Sequence, residues 1–165
     1  RNDLAEAAIA LFAQGLDQLI AARADEGSKL QSIVRGALQD VSAQLQQLEP
    51  LAQSLPAMQR QKLQDRVDEL TTKIEPERLA QEAVLLAQKA DIREELDRLR
   101  IHVTQSLDLI NGQGPHGRRL DFLTQELNRE ANTLGAKSVC AETSAASIEL
   151  KVIIEQIREQ VQNME

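Results

Sequence analysis

Residues 30–48 read Leu-Gln-Ser-Ile-Val-Arg-Gly-Ala-Leu-Gln-Asp-Val-Ser-Ala-Gln-Leu-Gln-Gln-Leu, and Val34, Leu38, Val41, Leu45 and Leu48 recur at intervals of four and three. That spacing lines up all five on one stripe of a helix and leaves the rest of its circumference to polar side chains. A strand would alternate every second residue, and this segment does not. Working back, Leu16, Leu19, Ile20, Leu30 and Ile33 keep the rhythm through Gly27. The sequence therefore predicts one long helix, or two nearly collinear ones, over 3–49. Pro50 is its expected stop, because proline has no N–H to offer an earlier carbonyl.

Working forward, Leu63, Val67, Leu70 and Ile74 predict a second helix over 56–74, folding back on the first as an antiparallel hairpin. Pro76 suits the first turn of a third helix. From 77 to 110 the spacing of Leu85, Ile92, Leu96, Leu99, Val103, Leu107 and Ile110 is close to heptad. Asn111-Gly-Gln-Gly-Pro-His-Gly117 interrupts it. A helix over 118–134 presents Leu120, Leu123, Leu127, Ala131 and Leu134 on one face. After a break at 135–141, the last helix repeats Leu150, Ile154, Ile157, Val161 and Met164. The expected fold is all-α, with long antiparallel helices forming an extended hairpin or coiled-coil-like bundle. Residues 1–76 would make a hairpin arm, and residues 77–165 a three-helix region. The seams exceed what two helices can cover, so self-association is expected.

Composition supports the class. Aromatics are confined to Phe12 and Phe122, with no Tyr or Trp, and helix formers dominate. The net charge is −7, and neither half is basic, so net charge gives no argument for diffuse attraction to nucleic acid and any RNA contact needs a local cluster. The aromatic stacking platforms common in single-strand RNA binders are missing from the pattern. Cys140 is the only cysteine, which excludes an internal disulfide and a cysteine metal knuckle. No run approaches about 18 uninterrupted apolar residues, so no transmembrane helix and no membrane partner are expected. There is no P-loop, nucleophile elbow or His-Glu-x-x-His signature.

Three polar stripes remain. Asp91, Glu95, Arg98 and His102 are four, three and four residues apart, which places an imidazole beside a guanidinium and two carboxylates. The following helix carries Arg118, Asp121, Gln125, Asn128, Arg129 and Asn132, with Arg119, Glu126 and Glu130 as a second line. Arginines with amides match phosphates and base edges, although interhelix hydrogen bonds and ion pairs would use the same residues. Lys151, Glu155, Arg158 and Gln162 form the third stripe, opposite the apolar face of the last helix. An antiparallel reversal near residue 114 would set His102 level with Glu126 and Arg98 level with Glu130.

The run Arg78-Leu-Ala-Gln-Glu-Ala-Val-Leu-Leu-Ala-Gln-Lys-Ala-Asp-Ile-Arg-Glu-Glu-Leu-Asp-Arg-Leu-Arg-Ile-His102 is followed by Gly117-Arg-Arg-Leu-Asp-Phe-Leu-Thr-Gln-Glu-Leu-Asn-Arg-Glu-Ala-Asn-Thr-Leu-Gly-Ala-Lys-Ser138. With the ending from Glu149 to Glu165, these residues resemble the YicC/YloC family of bacterial proteins across 78–165. Upstream, Arg23-x-x-Glu-Gly27 is the best local match. The resemblance implies a cytoplasmic endoribonuclease, RNA as substrate, a hexamer in the full-length protein, and a further N-terminal domain. It implies divalent metal, Mn²⁺ or Mg²⁺, with Asp91, Glu94, Glu95, Asp121, Glu126 and Glu130 as candidate ligands. His102, Glu95, Asp121, Glu126 and Glu130 are the catalytic candidates. Arg98, Arg118, Arg119, Gln125, Asn128, Arg129, Asn132, Lys137, Lys151 and Arg158 are the RNA-binding ones. Metal-assisted hydrolysis and removal of a 2′-hydroxyl proton by His102 both remain open. The competing function is a non-enzymatic helical module that oligomerises or adapts an RNA-degradation system.

Overall fold

A computed structural model describes residues 2–69, 75–112, 114 and 116–164. Five helices follow in order: α1 Asn2–Asp68, α2 Pro76–Lys89, α3 Arg93–Asn111, α4 Gly117–Ala136 and α5 Ala141–Gln162. Among the described residues there is no strand, so the all-α expectation holds.

The deciding stretch behaves as read. Val34, Leu38, Val41, Leu45, Leu48, Ala52 and Leu55 continue the four-three spacing, and all are buried. They face Ile92, Leu96, Leu99, Val103 and Ile110 of α3 and its approach, Leu120, Leu127, Ala131 and Leu134 of α4, and Ala146, Leu150, Ile154, Ile157 and Val161 of α5. Contacts run α1 to α3, α3 to α4, α4 to α5 and α5 back to α1. Cross-links fix the directions: Arg35 bonds Asn111 and Arg100 pairs with Glu49, so α3 runs against α1. Arg98 pairs with Glu130 and Glu95 with Lys137, while Gln44 bonds Glu149 and Lys62 donates to the Val139 carbonyl, so α4 opposes α3 and α5 opposes α1. The result is an antiparallel four-helix bundle.

The expected stop at Pro50 does not occur. α1 runs unbroken through Pro50 and Pro56, and the hairpin expected between 3–49 and 56–74 is absent. A proline inside a helix costs about 3 kcal/mol. Leu45, Leu48, Ala52 and Leu55, flanking both prolines, are each at most 3% exposed. Burying a leucine contributes about 1.5–3 kcal/mol, so the continuous seam outweighs the two defects. Instead, α2 packs on the distal end of α1. Leu70 and Ile74, expected in the second stripe, lie outside the described residues.

Two further expectations change. The helix expected over 77–110 breaks at 90–92, where Ala90 and Ile92 are fully buried and Asp91 accepts the Arg93 backbone N–H at 3.0 Å. That bond satisfies one of the orphan donors at the start of α3. Leu85, assigned to the seam, is half exposed. In the turn before α4, Gly114 alone needs glycine's freedom, with φ +111°, whereas Gly112 is extended. Gly117 matters for space instead: a Cβ there would collide with the Met164 carbonyl.

The first third of α1 leaves the bundle. Every described side chain from Leu4 to Glu26 is exposed, including Leu4, Ile9, Leu11, Phe12, Leu16, Leu19 and Ile20. At about 1.5 Å per residue this arm projects roughly 30 Å. Near the N-terminus α1 contains a window of mean hydropathy 1.3 that is nowhere buried, so by length and composition one segment is apolar enough to cross a membrane.

Candidate functional site

The α3–α4 hairpin collects most of the expected residues, because the turn at Gly114 sets a register in which numbers summing to about 228 lie level. Arg98 Nη1 meets Glu130 Oε1 at 3.3 Å, as the register requires, and Arg98 also pairs with Glu94. The two carboxylates hold the guanidinium of Arg98 above its ordinary pKa, Glu130 contributing most. One turn further along, Lys137 Nζ lies 2.7 Å from Glu95 Oε1 and donates to the Asp91 carbonyl. Glu95 and Glu130 are both buried. Arg93 grips Asp91 through its Nε at 2.9 Å, and that hydrogen bond holds the Asp91 carboxyl at about 2. This end of the hairpin is a chain of ion pairs tying α3 to α4.

His102 comes next and is different. The same register sets it level with Glu126, and no hydrogen bond or ion pair joins the two. Its Nδ1 is buried without a partner, and Glu126 is half-buried and likewise unengaged. An imidazole and a carboxylate without ion-pair partners thus share the α3–α4 face, with ion pairs on one flank and arginines on the other, and these two group types are the ones general acid–base chemistry uses.

The cations divide sharply. On α3, Arg93, Arg98 and Arg100 are all in ion pairs, and the hydrogen bond from Arg100 holds Glu49 below the usual carboxylate range. On α4, the side chains of Arg118, Arg119 and Arg129 are exposed and make no ion pair among the described residues. Two grooves flank that outer face. One, of about 610 Å³ between α3 and α4, is lined by Gln105, Asp108, Leu109, Arg118, Arg119, Phe122 and Leu123. The other, of about 650 Å³ between α4 and α5, is lined by Gln125, Asn128, Arg129, Asn132, Thr133 and Arg158. Gln125 donates to Asp121 and Asn132 to Asn128, which fixes the amides along α4. Arg158 pairs with Glu155 at 3.6 Å and keeps a buried Nε without a partner. Lys151 is exposed two turns before it on α5.

Phe122 was not legible as a functional residue from sequence. It is 59% exposed, pointing out of the seam formed by Leu120, Leu123 and Leu127. The available signal was that it falls between the a- and d-like positions of its helix.

Metal ligation does not emerge from this geometry. Among the described residues no three His, Cys, Asp or Glu side chains converge on a point. Asp91, Glu94, Glu95 and Glu130 are engaged by Arg or Lys, and Asp121 by Gln125, which leaves Glu126 alone of the six expected ligands unengaged.

Residues 48–165 match the family model described as Endoribonuclease YicC-like, C-terminal. The chain is 42% identical over 150 residues to a protein of Haemophilus influenzae named "Probable endoribonuclease YicC", the match covering 91% of this chain and 52% of that protein. A protein of the same name from Clostridioides difficile is 36% identical over 146 residues, covering 87% and 50%. The chain thus spans about half the length of the curated relatives it matches. The matched region begins well before the residues 78–165 that carry the resemblance read from sequence.

Proposed function

Because the chain belongs to the YicC-like endoribonuclease family through its C-terminal domain, we propose that its α3–α4 face cleaves RNA phosphodiester bonds within a longer protein. The observation that carries this is the unengaged His102 and Glu126, level with each other and next to the unpaired arginines of α4. In this reading His102 removes the proton of a 2′-hydroxyl, and O2′ attacks the adjacent phosphorus. Glu126, when protonated, gives a proton to the departing O5′. Arg118, Arg119 and Arg129 neutralise the phosphate charge as it builds. The amides of the α4–α5 groove hold the strand alongside.

The test is cleavage of labelled single-stranded RNA by the full-length protein, with and without EDTA. Changing Arg118, Arg119 and Arg129 together to Gln should weaken binding and lower the slope of log K against log salt by about 2, at roughly 0.7 per phosphate contact. Wild-type protein that cleaves no RNA with either Mn²⁺ or Mg²⁺ present would sink the reading. An unchanged salt slope in the variant would remove the arginines from it. The EDTA arm reads whether a divalent ion contributes, as the family resemblance implies.

The exposed arm of α1 favours a second reading, in which this chain also builds an assembly. Seven large apolar side chains between Leu4 and Ile20 are 47–80% exposed, more than an isolated helix in water sustains without a partner. A second copy covering this stripe would account for it, and a hexamer of the full-length protein is the expected product. Sedimentation at micromolar concentration should show self-association that Phe12→Glu together with Leu16→Glu abolishes. A strict monomer in the unaltered protein contradicts this reading.

A further inference from the structure

The groove at Phe122 carries more than the catalytic reading uses. Phe12 and Phe122 are the only aromatic residues of the chain, and Phe122 stands exposed on the wall of a groove floored by the buried Leu123 and half-buried Leu109. Arg118 and Arg119 rim it on one side, Gln105 and Asp108 on the other. Asp108 is exposed, and its carboxylate has no hydrogen-bond or ion-pair partner among the described residues. A phenyl face next to two guanidinium groups fits an unstacked base and its flanking phosphates. A carboxylate in the same groove repels phosphate, so it can only assist by accepting from a base. The Watson–Crick edge of guanine offers two adjacent N–H donors that match two carboxylate oxygens, whereas the other bases offer a single donor group there.

We propose that this groove is a subsite for one guanine of single-stranded RNA, stacked on Phe122, read by Asp108 and anchored through Arg118 and Arg119. The proposal rests on the RNA-cleaving role above. Asp108 lies six residues beyond His102 on α3, about 9 Å along the axis and about a third of a turn round it, so the guanine belongs to a nucleotide flanking the bond being cut.

The experiment measures binding of the full-length protein to short 2′-O-methyl RNA, which lacks the attacking hydroxyl, carrying one guanosine or one inosine. Inosine keeps the N1 donor and loses the exocyclic amine. Wild-type protein should prefer guanosine by about tenfold, the effect of one base-edge contact. Phe122→Ala should weaken binding of both about tenfold, and Phe122→Tyr should restore it. Asp108→Asn should erase the difference between guanosine and inosine with RNA still bound. Equal affinity for the two RNAs in wild-type protein, or an unaffected Phe122→Ala, overturns the subsite while leaving the RNA-cleaving role standing. Wild-type protein that neither binds nor cleaves any RNA overturns that role and the subsite with it.

Discussion

Replacing His102 by Ala in the full-length protein is expected to lower RNA cleavage about a hundredfold to ten-thousandfold, the range a positioned general base contributes. The imidazole sits on α3 with Nδ1 buried and unpartnered, on the turn side of the Arg98–Glu130 ion pair. Glu126→Gln should reduce the rate by a comparable factor, since the amide cannot supply the proton to the leaving oxygen. The two variants should also reshape the pH–rate profile differently, with the basic-form limb lost in His102→Ala and the acidic-form limb lost in Glu126→Gln. Helicity and sedimentation should be unchanged in both. Full activity in both variants would remove these residues from the reaction. Loss of folding in both would assign them to the bundle instead.

The second large effect concerns stability. Lys137 belongs to the motif that resembles the RNA-cleaving family and was expected to bind RNA, yet its ammonium is turned inward onto Glu95, whose side chain is 7% exposed. Lys137→Met leaves that carboxylate buried with neither oxygen paired, since Oε2 already lacks a partner. Breaking a buried pair typically costs 3–5 kcal/mol. Lys137 keeps 30% of its side chain in water, so the expected loss is about 2–3 kcal/mol, or roughly 5–10 °C in Tm for a chain of this size. Adding Glu95→Met to Lys137→Met should recover most of it, because an apolar pair of similar volume removes the stranded charge. Differential scanning calorimetry of the three variants closes the cycle. A Lys137→Met protein as stable as the parent but weakened in RNA binding would return Lys137 to the nucleic-acid surface.

How far the site could be read in advance differs from residue to residue. The pairing of Arg98 with Glu130 followed from a helical period and a turn at residue 114, because antiparallel helices place equal distances from a turn side by side. The same count set His102 level with Glu126 but gave no contact, since register fixes height along the axis and rotamers decide reach. Which arginines are free could be read only in part. Glu94, four residues before Arg98, is a pairing the sequence shows, whereas the carboxylate of Glu130 reaches Arg98 only through the packing of α4 on α3.

The sequence by itself determined the helical class, the buried stripe from Val34 to Leu48, the turn before α4 and the antiparallel α3–α4 pair. These depend on periodicity and on local backbone preference, which are written within a few consecutive residues. Tertiary structure alone decided that α1 continues through Pro50 and Pro56, that Leu4 to Ile20 stand outside the bundle, and that Phe122 faces solvent. Each of those outcomes is a competition between a local preference and burial against a distant segment. An apolar stripe is the same string of letters whether or not a partner helix arrives to cover it, and a proline tolerated for the sake of four buried side chains reads no differently from one that ends a helix.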